Sequence, residues 1–404
     1  MRVKIEKSTA SGEITAPPSK SFSHRLLIAA ALAPGVSTVS GISFCDDVVA
    51  TVNCLRALGV KIETSGDSVT VYGKSPYDFS PDEALYCKES GSTLRFLIPI
   101  ALISGKETVF TGEKTLMERP MNLYGELFSD CGITYLQKDG KITVKGPLSP
   151  GEYKIAANVS SQFISGLLFA LSALDGDSVI KLTTAVESRP YIDMTIAALS
   201  EFGISIKWED DYTLVIKESG KFEAKCVSVE GDYSAAAFPY ALNLFGSNVK
   251  VWGLKENSIQ ADAVFLKHYD SLIRGIPVIH LSDSPDLGPI LFAVAAAKFG
   301  GIFHGTKRLR IKESDRCAAM AMELTKFGAS VSIYEDTVTV YPKDFHKPNV
   351  TLDGHGDHRI VMALSVLLTL VGGEVDGAEA VAKSYPDFFR DLKKLGISLS
   401  EIEN

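Results

Sequence analysis

One recurring pattern constrains this chain more than any other: an apolar helical segment closes on a glycine, and a β-rich run follows. It occurs at residues 55–59, 127–132, 199–203, 272–275, 324–328 and 392–396, and its glycines step by 73, 71, 72, 53 and 68 residues. Glycine suits the left-handed conformation just past a helix, because it carries no Cβ to clash. Beyond it apolar residues alternate, turn on polar residues and alternate again, the mark of a hairpin. Val60 and Ile62, a turn at 65–67, then Val69 and Val71 show this, as do Val331 and Ile333, the Glu335 and Asp336 turn, then Val338 and Val340, while Ile142 and Val144 close the second copy. A unit of about 70 residues cannot bury both faces of its sheet alone, so the units must pack together. Six copies predict an α/β chain of two domains, each built of three helix-hairpin units, with the change of domain near 229–232, where Val-Glu-Gly-Asp breaks the pattern. Helix, glycine, strand is also the commonest α/β join, and that plainer reading stays open.

Composition supports a folded chain with its own core. Of 404 residues, 46% are apolar and 22% charged, outside the disordered and collagen-like ranges. The net charge of −8 argues against a surface that coats nucleic acid, whose affinity comes from neutralising phosphates. The cysteines at 45, 54, 87, 131, 226 and 317 form no Cys-x-x-Cys pair and are expected to be reduced thiols in the cytoplasm. No apolar run near Met1 suits a signal peptide. Residues 360–371, interrupted by Ser365 and Thr369, fall short of a bilayer span and predict a buried helix.

Several segments set Arg, Lys, Ser and Asp beside Gly or Pro at predicted helix starts, where a functional site would lie. Pro17-Pro18-Ser19-Lys20-Ser21-Phe22-Ser23-His24-Arg25 precedes an apolar helix. Capping explains Ser21 or Ser23, but the helix dipole disfavours Lys20 and Arg25 there, so the segment reads as an anion site. In Glu89-Ser90-Gly91-Ser92-Thr93-Leu94-Arg95, Gly91 permits close approach of a ligand to the backbone. Glu118-Arg119-Pro120, Ser160-Ser161-Gln162 and Ser188-Arg189-Pro190-Tyr191 each open a further helix. Ser284-Pro285-Asp286 stands before another, where a lone Asp is most often an N-cap. Lys312-Glu313-Ser314-Asp315-Arg316, Asp357-His358-Arg359 and Lys383-Ser384-Tyr385-Pro386-Asp387 complete the set.

Lys20, Arg25, Arg95, Arg119, Lys312, Arg316, Arg359 and Lys383 make a cationic cluster in an acidic protein, which predicts a strongly anionic small ligand. Two phosphates, each about −1.5 to −2 at neutral pH, plus two carboxylates would balance it. No Gly-x-Gly-x-x-Gly and no P-loop sequence occurs, against nucleotide-binding readings. His355 and His358 span a glycine at i, i+3, which does not match the i, i+4 face of a zinc helix, so no metal is expected.

Taken together, and in this order, Pro-Ser-Lys-Ser, Gly-Ser-Thr-Leu-Arg, Glu-Arg-Pro, Ser-Ser-Gln, Lys-Glu-Ser-Asp-Arg, Asp-His-Arg and Lys-Ser-Tyr-Pro-Asp resemble the 5-enolpyruvylshikimate-3-phosphate synthase family over nearly the whole chain. The resemblance implies two α/β domains, residues 20–230 and residues 1–19 plus 231–404, with the active site in the interdomain cleft. It implies transfer of the enolpyruvyl group of phosphoenolpyruvate to the 5-hydroxyl of shikimate 3-phosphate with release of phosphate, on the route to chorismate and the aromatic amino acids. The route is addition followed by elimination, with no metal or organic cofactor. By the resemblance Lys20, Ser21, Arg25, Ser160, Ser161, Gln162, Ser188, Asp286 and Lys312 bind shikimate 3-phosphate, with Tyr191 near the ring. Lys20, Gly91, Arg119, Arg316, Arg359 and Lys383 bind phosphoenolpyruvate. Asp286 is the expected base at the 5-hydroxyl, while Glu313 and Lys20 serve the proton traffic at the methylene carbon. The partners implied are these two small molecules, with no nucleic acid and no membrane, and the chain is expected to act as a monomer.

Two residues depart from the family pattern: Glu89 stands where many relatives have Asn, and Arg308 where some have Asn. The nearest rival, the UDP-N-acetylglucosamine enolpyruvyl transferase family, usually places a cysteine in the loop before its Arg-Pro, where this chain has Lys114. A non-catalytic anion-binding relative is the remaining alternative, and the retained Asp286, Glu313 and Lys20 argue against it.

Overall fold

The computed structural model describes residues 1–217 and 221–402. The chain divides into two compact units, Pro18–Glu230 and Met1–Pro17 with Gly231–Asn404.

The Pro18–Glu230 unit holds three four-stranded sheets built to one plan. A strand runs parallel to a second, a helix joining the two. A further helix leads from the second strand to a hairpin, whose last strand lies antiparallel to it. One copy pairs Glu152–Ile155 with Ser178–Leu182, then Thr213–Ile216, then Ile206–Asp210. Leu85–Tyr86, Thr108–Thr111, Lys141–Lys145 and Thr134–Lys138 repeat the order. The third sheet takes its first strand, Cys226–Ser228, from the far end of the unit, beside Gly35–Ser40, Ser68–Gly73 and Lys61–Ser65.

The first helix of each copy, Lys20–Leu32, Gly91–Ala101 and Ser161–Leu171, is buried on nearly every side. Each fully buried Leu, Ile or Phe there contributes roughly 1.5–3 kcal/mol. Close approach of two of these helices requires Gly166, where a Cβ would lie 2.3 Å from the Arg95 carbonyl oxygen. Tyr124 locks the crossing, its hydroxyl donating to the carbonyls of Arg95 at 2.7 Å and Phe163 at 3.0 Å.

The other unit repeats the plan in full once, and a second time with Arg2–Ile5, from the start of the chain, in place of the hairpin strand antiparallel to Gly373–Asp376. Its sheets run Val278–His280, Gly301–His304, Thr337–Tyr341, Ser330–Tyr334, and Leu352–Asp353, Gly373–Asp376, Arg2–Ile5, Leu399–Ile402. The remaining copy has only Ser11–Thr15 parallel to Asn248–Trp252. Here the structure departs from the expected repeat. Gly59, Gly132, Gly203, Gly328 and Gly396 have φ of +83°, +68°, +88°, +92° and +89°, the left-handed stop expected of them. Gly275 instead has φ 165°, an extended conformation, and the chain passes from the helix Phe265–Arg274 into the first strand of the next copy without a hairpin. The missing hairpin is the physical meaning of the short step of 53 residues. Tyr233–Ala241, Gly288–Ala297 and His358–Val371 are the buried helices of this unit. No helix among the described residues is long and apolar enough to cross a membrane.

Candidate active site

In the Pro18–Glu230 unit, three serines cap the central helices. Ser19 accepts from the Phe22 N–H, Ser90 from Thr93 and Ser160 from Gln162. Buried hydroxyls tie two of the helix starts together: His24 Nδ1 lies 2.7 Å from Thr51 Oγ1, which is 2.7 Å from Thr93 Oγ1, and Thr93 donates to Ser90 Oγ at 2.7 Å. Gln162 bridges the starts of Gly91–Ala101 and Ser161–Leu171, donating to Ser92 Oγ at 2.9 Å and accepting from Arg95 Nη1 at 2.7 Å. A Cβ placed on Gly91 would lie 2.9 Å from Arg95 Nη1 and 3.2 Å from Arg119 Nη1. Gly91, Arg95, Arg119 and Gln162 therefore meet at one point, although they are separated in sequence.

Lys20 pairs with Asp47 at 2.9 Å, both largely buried. Arg25 is 2% exposed and stacks over Phe96, with its donors directed to Thr195 Oγ1, the Ser21 carbonyl and the Tyr191 carbonyl. Burial lowers this guanidinium's pKa to about 10. Ser188 is buried, with left-handed φ 59° and ψ 41° just ahead of the helix Arg189–Glu201, and it makes no cap hydrogen bond. Ser161 is buried as well. Glu89 accepts from Thr115 Oγ1 at 2.7 Å, linking its loop to the helix Lys114–Met117 that leads to Arg119. Lys114 is exposed and pairs with Glu118 at 3.7 Å.

The other unit contains a denser ionic network. Asp286 lies in the turn Pro285–Leu287 and caps nothing, because the helix that follows has no side-chain cap hydrogen bond. Its carboxylate instead receives Arg316 Nη1 at 2.9 Å, Arg359 Nη2 at 2.8 Å and Lys312 Nζ at 3.5 Å. Burial disfavours the charged form, but Arg359, Lys312 and Arg316 override it and hold this carboxyl well below the usual range. Arg316, 1% exposed, also takes Glu313 at 2.8 Å and Asp357 at 2.8 Å. Asp357 is fully buried and caps the helix His358–Val371 through the Arg359 N–H at 2.9 Å. Desolvation lowers the Lys312 ammonium to about 8, with Asp286 opposing and Arg308 and Arg316 adding to the fall. Lys383 ends the turn Ala378–Lys383 and is 5% exposed.

The expectation that the cations await an anionic ligand needs correction in one respect. Lys20 faces Asp47, and Lys312, Arg316 and Arg359 face Asp286, so these four cations do not form a bare cluster. Sequence reasoning missed Asp47, which reads as ordinary helix-start acid, and Asp262, a buried carboxylate raised to about 6 by burial and by the Asp286 charge. Neither carries a motif. Among the described residues no group of three His, Cys, Asp or Glu side chains is placed to hold a metal ion.

Two solved EPSP synthase structures from Acinetobacter baumannii superpose with TM-scores of 0.79 and 0.80, at 24% and 23% identity, covering 99% and 100% of this chain and 100% of each of theirs. Their likeness gives the fold, a two-domain α/β architecture. The chain belongs to the EPSP synthase (3-phosphoshikimate 1-carboxyvinyltransferase) family, whose model matches residues 5–272 and 267–392. It is thus an enzyme that transfers an enolpyruvyl, or carboxyvinyl, group. The 3-phosphoshikimate 1-carboxyvinyltransferase of Clostridium kluyveri is 39% identical over 99% of this chain and 98% of its own length. Those of Clostridium acetobutylicum and Clostridioides difficile are 40% and 35% identical, each over 99% of this chain and 98% of its own length.

Proposed function

We propose that this chain moves the enolpyruvyl group of phosphoenolpyruvate to the 5-hydroxyl of shikimate 3-phosphate and releases inorganic phosphate. The observation that carries this reading is the Asp286 network. A half-buried carboxylate at Asp286, a second at Glu313 and three cations lie within one set of contacts, which supports a base, an acid and charges to hold anions.

Lys20, Ser21, Arg25, Ser160, Ser161, Gln162, Ser188, Lys312 and, at the 5-hydroxyl, Asp286 take shikimate 3-phosphate, with Tyr191 beside its ring. Lys20, Gly91, Arg119, Arg316, Arg359 and Lys383 take phosphoenolpyruvate. A proton from Glu313 or Lys20 adds to the methylene carbon, and the neighbouring carbon becomes electron-poor. The 5-oxygen bonds to that carbon as its proton passes to Asp286. The group that gave the first proton, now a base, takes one from the new methyl group, which re-forms the double bond and expels phosphate. Substrate anions that draw Arg316, Arg359 and Lys312 away from Asp286 also raise its basicity, so binding switches on the base.

We place the activity in a cytoplasmic monomer. Both substrates are multiply charged and do not cross a bilayer unaided. The test is phosphate release from phosphoenolpyruvate. The reading requires release that depends on shikimate 3-phosphate, with one carboxyvinyl ether formed per phosphate. Release without that acceptor, or only with UDP-N-acetylglucosamine, would overturn it, and so would binding of both substrates without turnover.

A further inference from the structure

Glu323 stands seven residues beyond Arg316 on the helix Arg316–Lys326, almost two turns on and therefore on the same face. Its side chain is 2% exposed. Its two oxygens receive Lys326 Nζ at 2.8 Å each, the Asp353 backbone N–H at 3.0 Å and His355 Nε2 at 3.1 Å. The helix thus grips one short segment at two points. Arg316 holds Asp357, and Glu323 holds the turn at 353–355 just ahead of it.

That turn is tightly built. Asp353 Oδ1 accepts the His355 N–H at 2.7 Å, the Gly354 carbonyl accepts the Asp357 N–H at 2.9 Å, and the Gly354 N–H donates to the Asp376 carbonyl at 3.0 Å. A Cβ on Gly354 would fall 2.5 Å from Val361 Cγ2. His355 has φ 51°, a left-handed conformation that a non-glycine residue adopts at a cost. Such a conformation persists only where the surroundings impose it, and Glu323 is the side chain that does so from the neighbouring helix.

We propose that Glu323 is a positioning residue for enolpyruvyl transfer: by clamping the 353–355 turn it presents Asp357 to Arg316 and Arg359 to Asp286. It contacts none of the groups assigned to substrate. A role in stability alone accounts poorly for its placement. The Lys326 pair is partly exposed and would form as well at the surface, whereas burying a carboxylate carries a desolvation cost that apolar packing avoids. Here the burial is directed at a backbone N–H and a ring nitrogen of a single turn. A misplacement of about 1 Å in catalytic groups costs up to about 10²-fold in rate, so a loosened turn should show in the kinetics.

The proposal rests on the enolpyruvyl-transfer reading for its kinetic readout, and amide exchange supplies a readout independent of it. In the full-length chain, Glu323→Ala should lower kcat/KM for phosphoenolpyruvate about tenfold or more and speed amide exchange across 353–359. Glu323→Gln retains an acceptor for the Asp353 N–H and should recover most of both. Lys326→Ala should resemble wild type. If Glu323→Ala does not fold, His355→Ala, which removes one tie, should give a smaller loss of the same kind. The proposal is overturned if Glu323→Ala keeps kcat/KM and exchange within about twofold of wild type, or if Lys326→Ala does the same damage as Glu323→Ala. A wild-type chain with no phosphate release would refute the reaction, while faster exchange confined to 353–359 in Glu323→Ala would still establish the clamp.

Discussion

Replacing Asp286 by Asn keeps the size of the side chain and one accepting oxygen but deletes the charge on which Arg316, Arg359 and Lys312 converge at 2.9, 2.8 and 3.5 Å. Losing a positioned base costs about 10²–10⁴-fold in turnover, equivalent to about 2.7–5.4 kcal/mol of activation free energy. Affinity for substrate anions should move the other way, because the carboxylate competes for the same cations. An anion about 5 Å from the lost charge is relieved of roughly 1–3 kcal/mol of repulsion at an effective dielectric between about 80 and 20. Shikimate 3-phosphate should therefore bind about fivefold tighter or better. Calorimetric titration with shikimate 3-phosphate, alongside steady-state phosphate release, separates the two effects. Turnover near wild type would mean that Asp286 is not the base. Affinity that falls in step with turnover would mean that its charge holds substrate rather than competing with it.

The Lys312 ammonium, lowered to about 8 by burial, is charged below that pH and neutral above it. A pH profile of kcat/KM should fall as pH rises through about 8, and the fall should vanish in Lys312→Arg; a limb that survives the substitution would assign it elsewhere. Gly91→Ala places a methyl 2.9 Å from Arg95 Nη1, a group held by Gln162, so KM for phosphoenolpyruvate should rise about tenfold with the melting temperature little changed. An unchanged KM would remove Gly91 from the donor site. Cys131 and Cys226 are exposed while Cys45, Cys54, Cys87 and Cys317 are buried, so a thiol reagent should label two sites quickly in the native chain and the rest only on unfolding.

The repeat was legible because a glycine stop and a hairpin leave a periodic mark, and even the absent hairpin is written in the step after Gly275. Its meaning was hidden because the sequence around Leu272 and Gly275 looks like the other stops until the backbone shows Gly275 extended. Candidate site residues stand out in the sequence where charge sits against a helix dipole, as at Lys20, Arg316 and Arg359. A role was illegible where a long-range partner decides it. Asp286 beside a helix start reads as a cap and the fold shows that it is none, whereas Asp357, in a segment that stands out for its basic residues, is the one that caps. Arg25 likewise reads as an exposed anion receptor, whereas packing against Phe96 and bonds to Thr195 and Tyr191 bury it. Asp47 pairs with a lysine 27 residues away, and Glu323 reads as an ordinary i,i+3 partner of Lys326, because its ties to Asp353 and His355 span 30 and 32 residues.

The central claim, transfer through protonation of the methylene carbon, is tested most directly by running the reaction in heavy water and reading the vinyl methylene of the product by mass spectrometry and NMR. Addition followed by elimination passes through a methyl group that has gained one solvent hydrogen, so the account predicts deuterium in that methylene. A carboxyvinyl ether of shikimate 3-phosphate whose methylene carries only protium would contradict the account.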